Sequence, residues 1–349
     1  MRVLYGVVGE GMGHATRSRV VIEHLLSRGH QVHVVVSGRA HGLLSRVFAG
    51  RSGVSIQGIH GLTLRYDDNA LDVGRSVLAN LGQAPLGIAK NIAAYLRVEE
   101  EPDVVISDFE SWAYFYGLNH FKPVVSIDNM QVINRCEHPE EITSDPDFQL
   151  AKAAVKVKLP GAHHYIVTTF FRPPLRKDRT TLVSPILRPE ILAARREPGE
   201  HVLVYQTATD NEALVPMLQS LPYTFRLYGM RRDAVEQNVV LRDFSEQGFI
   251  DDLRTARAVI AGGGFSLMGE AVHLRVPMYS VPIEGHYEQI LNARYLAMLG
   301  YGRYAARFDR DDIAEFIENA PASTGYVPRD NSELFAAVDR VLGEVQSQL

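Results

Sequence analysis

Leu4-Tyr5-Gly6-Val7-Val8-Gly9-Glu10-Gly11-Met12-Gly13-His14 decides the fold. Its first half is short, apolar and rich in valine, the mark of a strand buried on both faces. Its second half is a glycine turn, where the backbone can bend sharply and let a ligand approach closely. Val20, Val21, Leu25 and Leu26 then recur at the spacing of one helix face, and Gly29 stands where a helix stops. Gln31 to Val36 is the next strand, closed by Ser37-Gly38. Strand, loop, helix and strand in that order require a parallel pair with a right-handed crossover.

The rhythm continues outward. Val54 to Ile59, Val104 to Ser107, Val124 to Ile127 and Tyr165 to Thr168 read as strands, the last closing the first half. Ser76 to Val98 reads as mostly helical, interrupted at Pro85. Arg172-Pro173-Pro174 and Ser184-Pro185-Ile186-Leu187-Arg188-Pro189 read as linkers, since proline breaks helices and central strands. A second alternation begins at Val202 to Tyr205. It runs through Thr224 to Tyr228, Val239 to Leu241, Val259-Ile260 and Met278 to Val281, with helices at Ala213 to Leu221, from Phe249, and at Glu288 to Leu299. The expected fold is α/β, with two Rossmann-like domains facing across a cleft. Residues 1–188 are expected to form the N-terminal domain and 189–330 the C-terminal one. A helix at 331–349 could pack back on the first.

The 349 residues carry 36 Lys+Arg against 41 Asp+Glu, a formal charge of −5. At about 150 residues per domain, two domains are expected. Hydrophobic residues at 46% supply two cores and exclude a disordered or fibrous chain. A mildly acidic chain lacks the field that non-specific nucleic-acid binding needs, so no nucleic-acid partner is expected. The single cysteine, Cys136, makes no internal disulfide and fits a reducing compartment. No apolar run approaches the roughly 20 residues of a membrane helix, so the expectation is a cytoplasmic protein, with peripheral membrane contact left open.

Gly9, Gly11 and Gly13 follow a strand, but the dinucleotide fingerprint needs G-x-G-x-x-G and an acid about 20 residues on. Here the spacing is G-x-G-x-G and the second strand ends in Ser37-Gly38-Arg39. His14 stands where that loop becomes helix, a position that disfavours its cation and suits a general base. Asp108, at the end of the strand Val104 to Ser107, could orient it or could cap the following helix; Glu110 could take either role. Ala261-Gly262-Gly263-Gly264-Phe265-Ser266 is a second glycine turn opening a helix. It offers backbone N–H groups to a diphosphate, with Glu270 about one turn on. Glu288 and Gln289, after Pro282-Ile283-Glu284-Gly285-His286-Tyr287, could accept from sugar hydroxyls, or simply begin a helix. Tyr205-Gln206-Thr207-Ala208-Thr209-Asp210 could meet phosphate through Thr207, or cap a helix. The basic stretch Lys152, Lys156, Lys158, Arg172, Arg176, Lys177 and Arg179 reads as solvated surface. No H-E-x-x-H, C-x-x-C or G-x-S-x-G is present, His163 and His164 are adjacent, and no metal site is expected.

Two glycine-rich α/β halves with Gly262-Gly263-Gly264-Phe265-Ser266 and Glu288-Gln289 resemble the GT-B glycosyltransferases. Phe249-Ile250-Asp251-Asp252-Leu253, the triple glycine, Glu270 and Gln289-Ile290-Leu291-Asn292-Ala293 look like the donor domain of the N-acetylglucosaminyltransferases that make lipid II. Gly9-Glu10-Gly11-Met12-Gly13-His14-Ala15-Thr16-Arg17 is similar to a group of bacterial and archaeal members of that superfamily. The resemblance implies that the Ile250 backbone reads a uracil, Glu270 binds ribose, and Glu288 and Gln289 contact the donor sugar. Gly263, Gly264, Phe265 and Ser266 fall on its diphosphate turn. It implies that His14 and Asp108 form the His–Asp dyad of plant and macrolide-type transferases, with Gly11, Gly13 and Glu110 on the acceptor side. Gln206-Thr207-Ala208-Thr209 departs from the pattern, replacing a glycine-rich phosphate loop.

The sequence therefore reads as an inverting, metal-independent glycosyltransferase with no cofactor. Its donor is a nucleotide-diphosphate sugar, UDP-linked by resemblance, and its acceptor (small molecule, glycan or lipid) has no transferable code. The alternatives are a sugar-nucleotide epimerase of the same fold and a non-catalytic sugar-nucleotide-binding protein. Oligomeric state is not legible.

Overall fold

A computed structural model describes residues 1–9, 11–61, 66–67, 70–71, 86–98, 100–206 and 213–348. The chain divides into two compact units. One comprises Met1–Leu64, Val73–Arg188 and Asp330–Leu349; the other comprises Arg65–Asp72 and Pro189–Arg329.

In the first unit, β1 (Arg2–Val7), β2 (Gln31–Val36), β3 (Val54–Gly58), β6 (Val104–Asp108), β7 (Val124–Asp128), β8 (His164–Thr168) and β9 (Thr180–Val183) form one parallel sheet. Their order is β3-β2-β1-β6-β7-β8-β9. An antiparallel two-stranded hairpin, β4 (Tyr66–Asp67) with β5 (Ala70–Leu71), belongs to the second unit. β6, β7 and β8 are buried at every position, as the apolar runs require. Helices α1 (Met12–Ser27), α2 (Gly38–Val47), α3 (86–96), α4 (Ser111–Asn119), α5 (Val132–Arg135), α6 (Glu140–Thr143) and α7 (Pro146–Lys158) belong to the first unit. Chain order reverses between β1 and β6, and there Val7 pairs with Asp108.

The first half does not close at Thr168. Thr180–Val183 extends the sheet as β9, so Arg172-Pro173-Pro174 is an internal loop and no linker. Only one position of that edge strand is fully buried, so it lacks the apolar run that marks the others. The basic stretch is likewise more than solvated surface. Lys177 Nζ donates to Asn134 Oδ1 at 2.6 Å and Arg176 Nη2 to Asn134 O at 2.7 Å. Of the predicted helix from Ser76 to Val98, residues 76–85 lie outside the described residues, and 86–96 are helical.

The second unit repeats the plan. β10 (Val202–Tyr205), β11 (Phe225–Tyr228), β12 (Ala234–Glu236), β13 (Val239–Arg242), β14 (Ala258–Ala261), β15 (Met278–Ser280) and β16 (Gly302–Tyr304) are ordered β12-β13-β11-β10-β14-β15-β16. All pair in parallel except the β12 edge. Helices α8 (Pro189–Ala193), α9 (Leu214–Gln219), α10 (Glu246–Thr255), α11 (Phe265–His273), α12 (Tyr287–Met298) and α13 (Arg310–Asn319) surround it. Its reversal lies between β10 and β14, where Tyr205 pairs with Ala261. β12, β16 and α13 went unread in the sequence.

The last helix, α14 (Ser332–Gln346), belongs to the first unit. Leu334, Ala337, Val338, Val341, Leu342 and Val345 join the core formed by α1, β1 and β2. Glu333 Oε2 accepts from Arg172 at 2.5 Å and from Ser184 Oγ at 2.9 Å, and Asp339 holds His24 at 2.8 Å and Arg28 at 2.7 Å. Burial alone would raise the Glu333 carboxyl, but Arg172 and Ser184 outweigh it and hold it at about 2. The clamp therefore contributes above the ordinary carboxylate range and is lost as pH falls toward 2. Leu334 is 1% exposed. Leu334→Ala should cost about 2–5 kcal/mol, measured as a lower urea midpoint; an unchanged midpoint would show that α14 adds nothing to this core.

Candidate active site

His14 enters from the first turn of α1. Gly11 precedes it with φ +86°, a left-handed conformation that a side chain would strain. Gly9 serves a different end: a Cβ there would fall 2.3 Å from the Ser37 carbonyl, so the turn packs tightly on the end of β2. Gly13 lies inside α1, its carbonyl accepting from Thr16 Oγ1 at 3.0 Å.

His14 Nδ1 lies 3.0 Å from Asp108 Oδ1. The two approach from either side of the strand reversal, the place where open parallel sheets receive ligands. Asp108 is wholly buried. Burial would raise its carboxyl, but Arg17 and His14 outweigh that and hold it well below the ordinary carboxylate range, so it is an anion. Arg17 Nε reaches Asp108 Oδ1 at 3.1 Å and Oδ2 at 2.9 Å, Arg17 Nη2 also donates to Oδ1, and Ser18 Oγ donates to Oδ2 at 2.9 Å.

Arg17 Nη2 also lies 2.8 Å from His14 Nδ1. That nitrogen cannot both donate to Asp108 and accept from Arg17. The Asp108 carboxylate favours a proton on Nδ1, which would leave Nε2 as the basic nitrogen, while the Arg17 N–H favours a lone pair at the same atom. The His14 side chain keeps 22% of its surface exposed. Its pKa lies below the ordinary histidine value, first through burial and then through Arg17.

Of the two acids considered as helix cap, Glu110 takes the part. Its carboxylate accepts from Trp112 N at 2.8 Å and Ala113 N at 2.7 Å, at the start of α4. Each oxygen thus takes one bond from the helix start. Burial pushes this carboxyl up to about 7 against the pull of those N–H groups. Phe109, between the two acids, has φ +54°, and Lys158 Nζ sits 4.0 Å above its ring.

In the second unit the triple glycine connects β14 to α11. Gly263 N donates to Gln289 Oε1 at 3.2 Å, and Asn292 Nδ2 donates to Gly263 O at 3.2 Å. A Cβ on Gly263 would lie 2.2 Å from the Gln289 carbonyl, so only glycine lets turn and α12 meet. Gly264 is exposed with open space about it and no side chain caps α11. Phe265 and Glu270 are buried on α11, with Ser266 half-buried in its first turn.

Gln289 Oε1 also accepts from Ile283 N at 3.0 Å. Its acceptor is thus committed to the turn, and its amide N–H groups are the part it has to offer. Glu288 lies in the first turn of α12. Ile250 is in the second turn of α10, 2% exposed. Its backbone N–H there belongs to the helix ladder. The helix is held by the buried Asp252, which binds Arg226, Tyr228 Oη at 2.7 Å and Arg242 at 3.1 Å. Thr207 lies outside the described residues.

Arg17 is the functional residue that motif reading passed over. A charged side chain between Ala15 and Val20 on the buried face of α1 was the available signal, since buried charges need partners. A depression of about 640 Å³, lined by Arg2, Gln31, His33, Val54, Gln57 and Glu100, opens at the amino ends of β1–β3. That is the wrong end of a parallel sheet for this chemistry. Among the described residues no cluster of His, Cys, Asp or Glu could hold a metal ion.

The profile of Glycosyl transferase family 1 matches residues 1–321. An uncharacterized glycosyltransferase of Methanosarcina acetivorans is 25% identical over 333 residues, covering 87% of this chain and 85% of that one. One of Methanosarcina mazei is 24% identical over 333 residues, covering 87% and 86%. Among solved structures, Arabidopsis thaliana UGT89C1 complexed with UDP aligns with TM-score 0.67 at 14% identity over 99% of both chains. Acinetobacter baumannii MurG aligns with TM-score 0.60 at 16% identity, covering 98% of this chain and 99% of that one. The chain belongs to glycosyl transferase family 1 and is a glycosyltransferase of GT-B fold.

Proposed function

We propose that the protein moves a sugar from a nucleotide-diphosphate donor, UDP-linked, to an acceptor hydroxyl, with inversion and without a metal ion. His14 Nε2 takes the hydroxyl proton as that oxygen attacks the anomeric carbon. The bond from this carbon to the diphosphate oxygen breaks, and the nucleoside diphosphate departs. Attack opposite the leaving group inverts the centre. The observation that supports this most is the 3.0 Å contact of His14 Nδ1 with buried Asp108, which favours the tautomer with a basic Nε2.

The uncapped first turn of α11 suits the diphosphate charge. Glu270 on α11 and Glu288 on α12 suit ribose and sugar hydroxyls, with Gln289 as donor through Nε2. UGT89C1 was solved with UDP and with UDP-L-rhamnose, which supports a UDP-linked donor here.

We further propose that the protein works in the cytoplasm in peripheral contact with a membrane. Among the described residues no helix is long and apolar enough to cross one. Support comes from α3, where Ile88, Ile92 and Leu96 are 60%, 56% and 78% exposed at intervals of four residues.

A thermal-shift panel of nucleotide sugars should raise the melting temperature for UDP-linked donors; a flat response across the panel would overturn the donor assignment. Donor hydrolysis or isomerisation without acceptor, followed by product analysis, separates transfer from epimerisation. His14→Ala should keep that thermal shift and lose about 100- to 10,000-fold in transfer rate, and wild-type turnover would remove His14 as base. Gly263→Ala should abolish the shift, because its methyl displaces the turn from Gln289. Ile92→Glu should reduce sedimentation with anionic phospholipid vesicles; equal sedimentation would remove α3 from the membrane reading.

A further inference from the structure

We propose that Arg17 is a positioning residue for the base, engaging Asp108 so that His14 is held as a neutral imidazole. The inference rests on the reading of His14 as general base, and it adds a third member to the pair. A carboxylate that faces only a histidine favours the imidazolium, since the charged pair is the stable one. Here the negative charge is already met. Arg17 Nε bridges both carboxylate oxygens at 3.1 and 2.9 Å, and its Nη2 adds a further bond. The guanidinium is 6% exposed and never deprotonates in this range. Protonating His14 would place a second buried cation 2.8 Å from the first.

The groups facing this cluster come from every side. Arg17 and Ser18 are on α1 beside His14, Asp108 is at the end of β6, and Lys158 at the end of α7 also disfavours the His14 cation. Tyr5 on β1 and Asp128 at the end of β7 lie within the field of Asp108, and Glu110 within that of Lys158. Of these groups only Arg17 bonds both carboxylate oxygens.

The sign follows. A base must be unprotonated, so a lowered histidine pKa carries activity to lower pH. Without the guanidinium, Asp108 would favour the imidazolium, and the acid limb would move up.

The test is the titration of His14 in the full chain, read from 15N-labelled imidazole resonances assigned with His14→Ala. Alongside it goes the pH profile of transfer for wild type, Arg17→Met and Arg17→Lys. In wild type the midpoint should lie below about 6.5. In Arg17→Met it should rise by about one unit or more, and the acid limb of kcat/KM should rise with it. Arg17→Lys keeps charge without the fork and should fall between. Far-UV circular dichroism and the urea midpoint report whether each variant is folded. A folded Arg17→Met with an unmoved His14 midpoint overturns the inference. Where that variant does not fold, a wild-type midpoint at or above 6.5 overturns it equally. Because the resonances report His14 whether or not it is the base, failure of the base reading shows separately, as transfer surviving His14→Ala.

Discussion

A carboxylate with no exposure must be neutralised where it sits, and in the first unit that demand falls at the reversal of strand order. Asp108 ends β6 beside β1 and is met by Arg17, Ser18 and His14, all from the first turns of α1. The helix that leaves the glycine turn is therefore tied to the strand across the reversal by charge as well as by packing. Removing one partner of such a buried pair costs far more than the pair contributes net, because the other charge is stranded. The geometry of the histidine is thus inherited from an interaction that folding itself requires.

The second unit reaches the same end of its sheet by other means. No buried charge crosses its reversal between β10 and β14 in the described residues. A backbone turn is held there by neutral amides, with Gln289 accepting from Gly263 and Ile283 and Asn292 donating to Gly263. Neutral support is what an anion site needs. A fixed carboxylate beside the first turn of α11 would repel a diphosphate, and a fixed cation would leave little for the turn's own N–H groups to do. Asp252, a buried acid of this unit, sits on α10 and is consumed by Arg226, Tyr228 and Arg242.

What was legible in the chain follows from burial. Strands covered on both faces announce themselves as apolar runs, so β1, β2, β6, β7, β8 and β10 were readable within a residue or two. β9, β12 and β16 lie at or near sheet edges, are half-buried, and carry threonine, glutamate or arginine in place of the run. The site was legible in residue type but not in division of labour. Asp108 and Glu110 are two residues apart and of like chemistry. Only the backbone at Phe109, turned to φ +54°, sends one to the histidine and the other to the helix start. Gln289 was readable as a polar residue near a glycine turn, but that it braces the turn depends on a contact 26 residues away in sequence.

Arg17 adds a constraint that a His–Asp pair alone does not carry. A base kept neutral by a neighbouring cation is available at lower pH but is a weaker base, and its imidazolium is less well accommodated once the proton arrives. Brønsted behaviour makes this a favourable exchange only when the proton has somewhere to go or the attacking oxygen gains little negative charge before bond formation. The 22% exposure of His14 answers the first condition, since an imidazolium with access to solvent can shed its proton between turnovers. On the proposed reading, departure of a diphosphate would answer the second, because an electrophilic anomeric carbon asks less of the nucleophile.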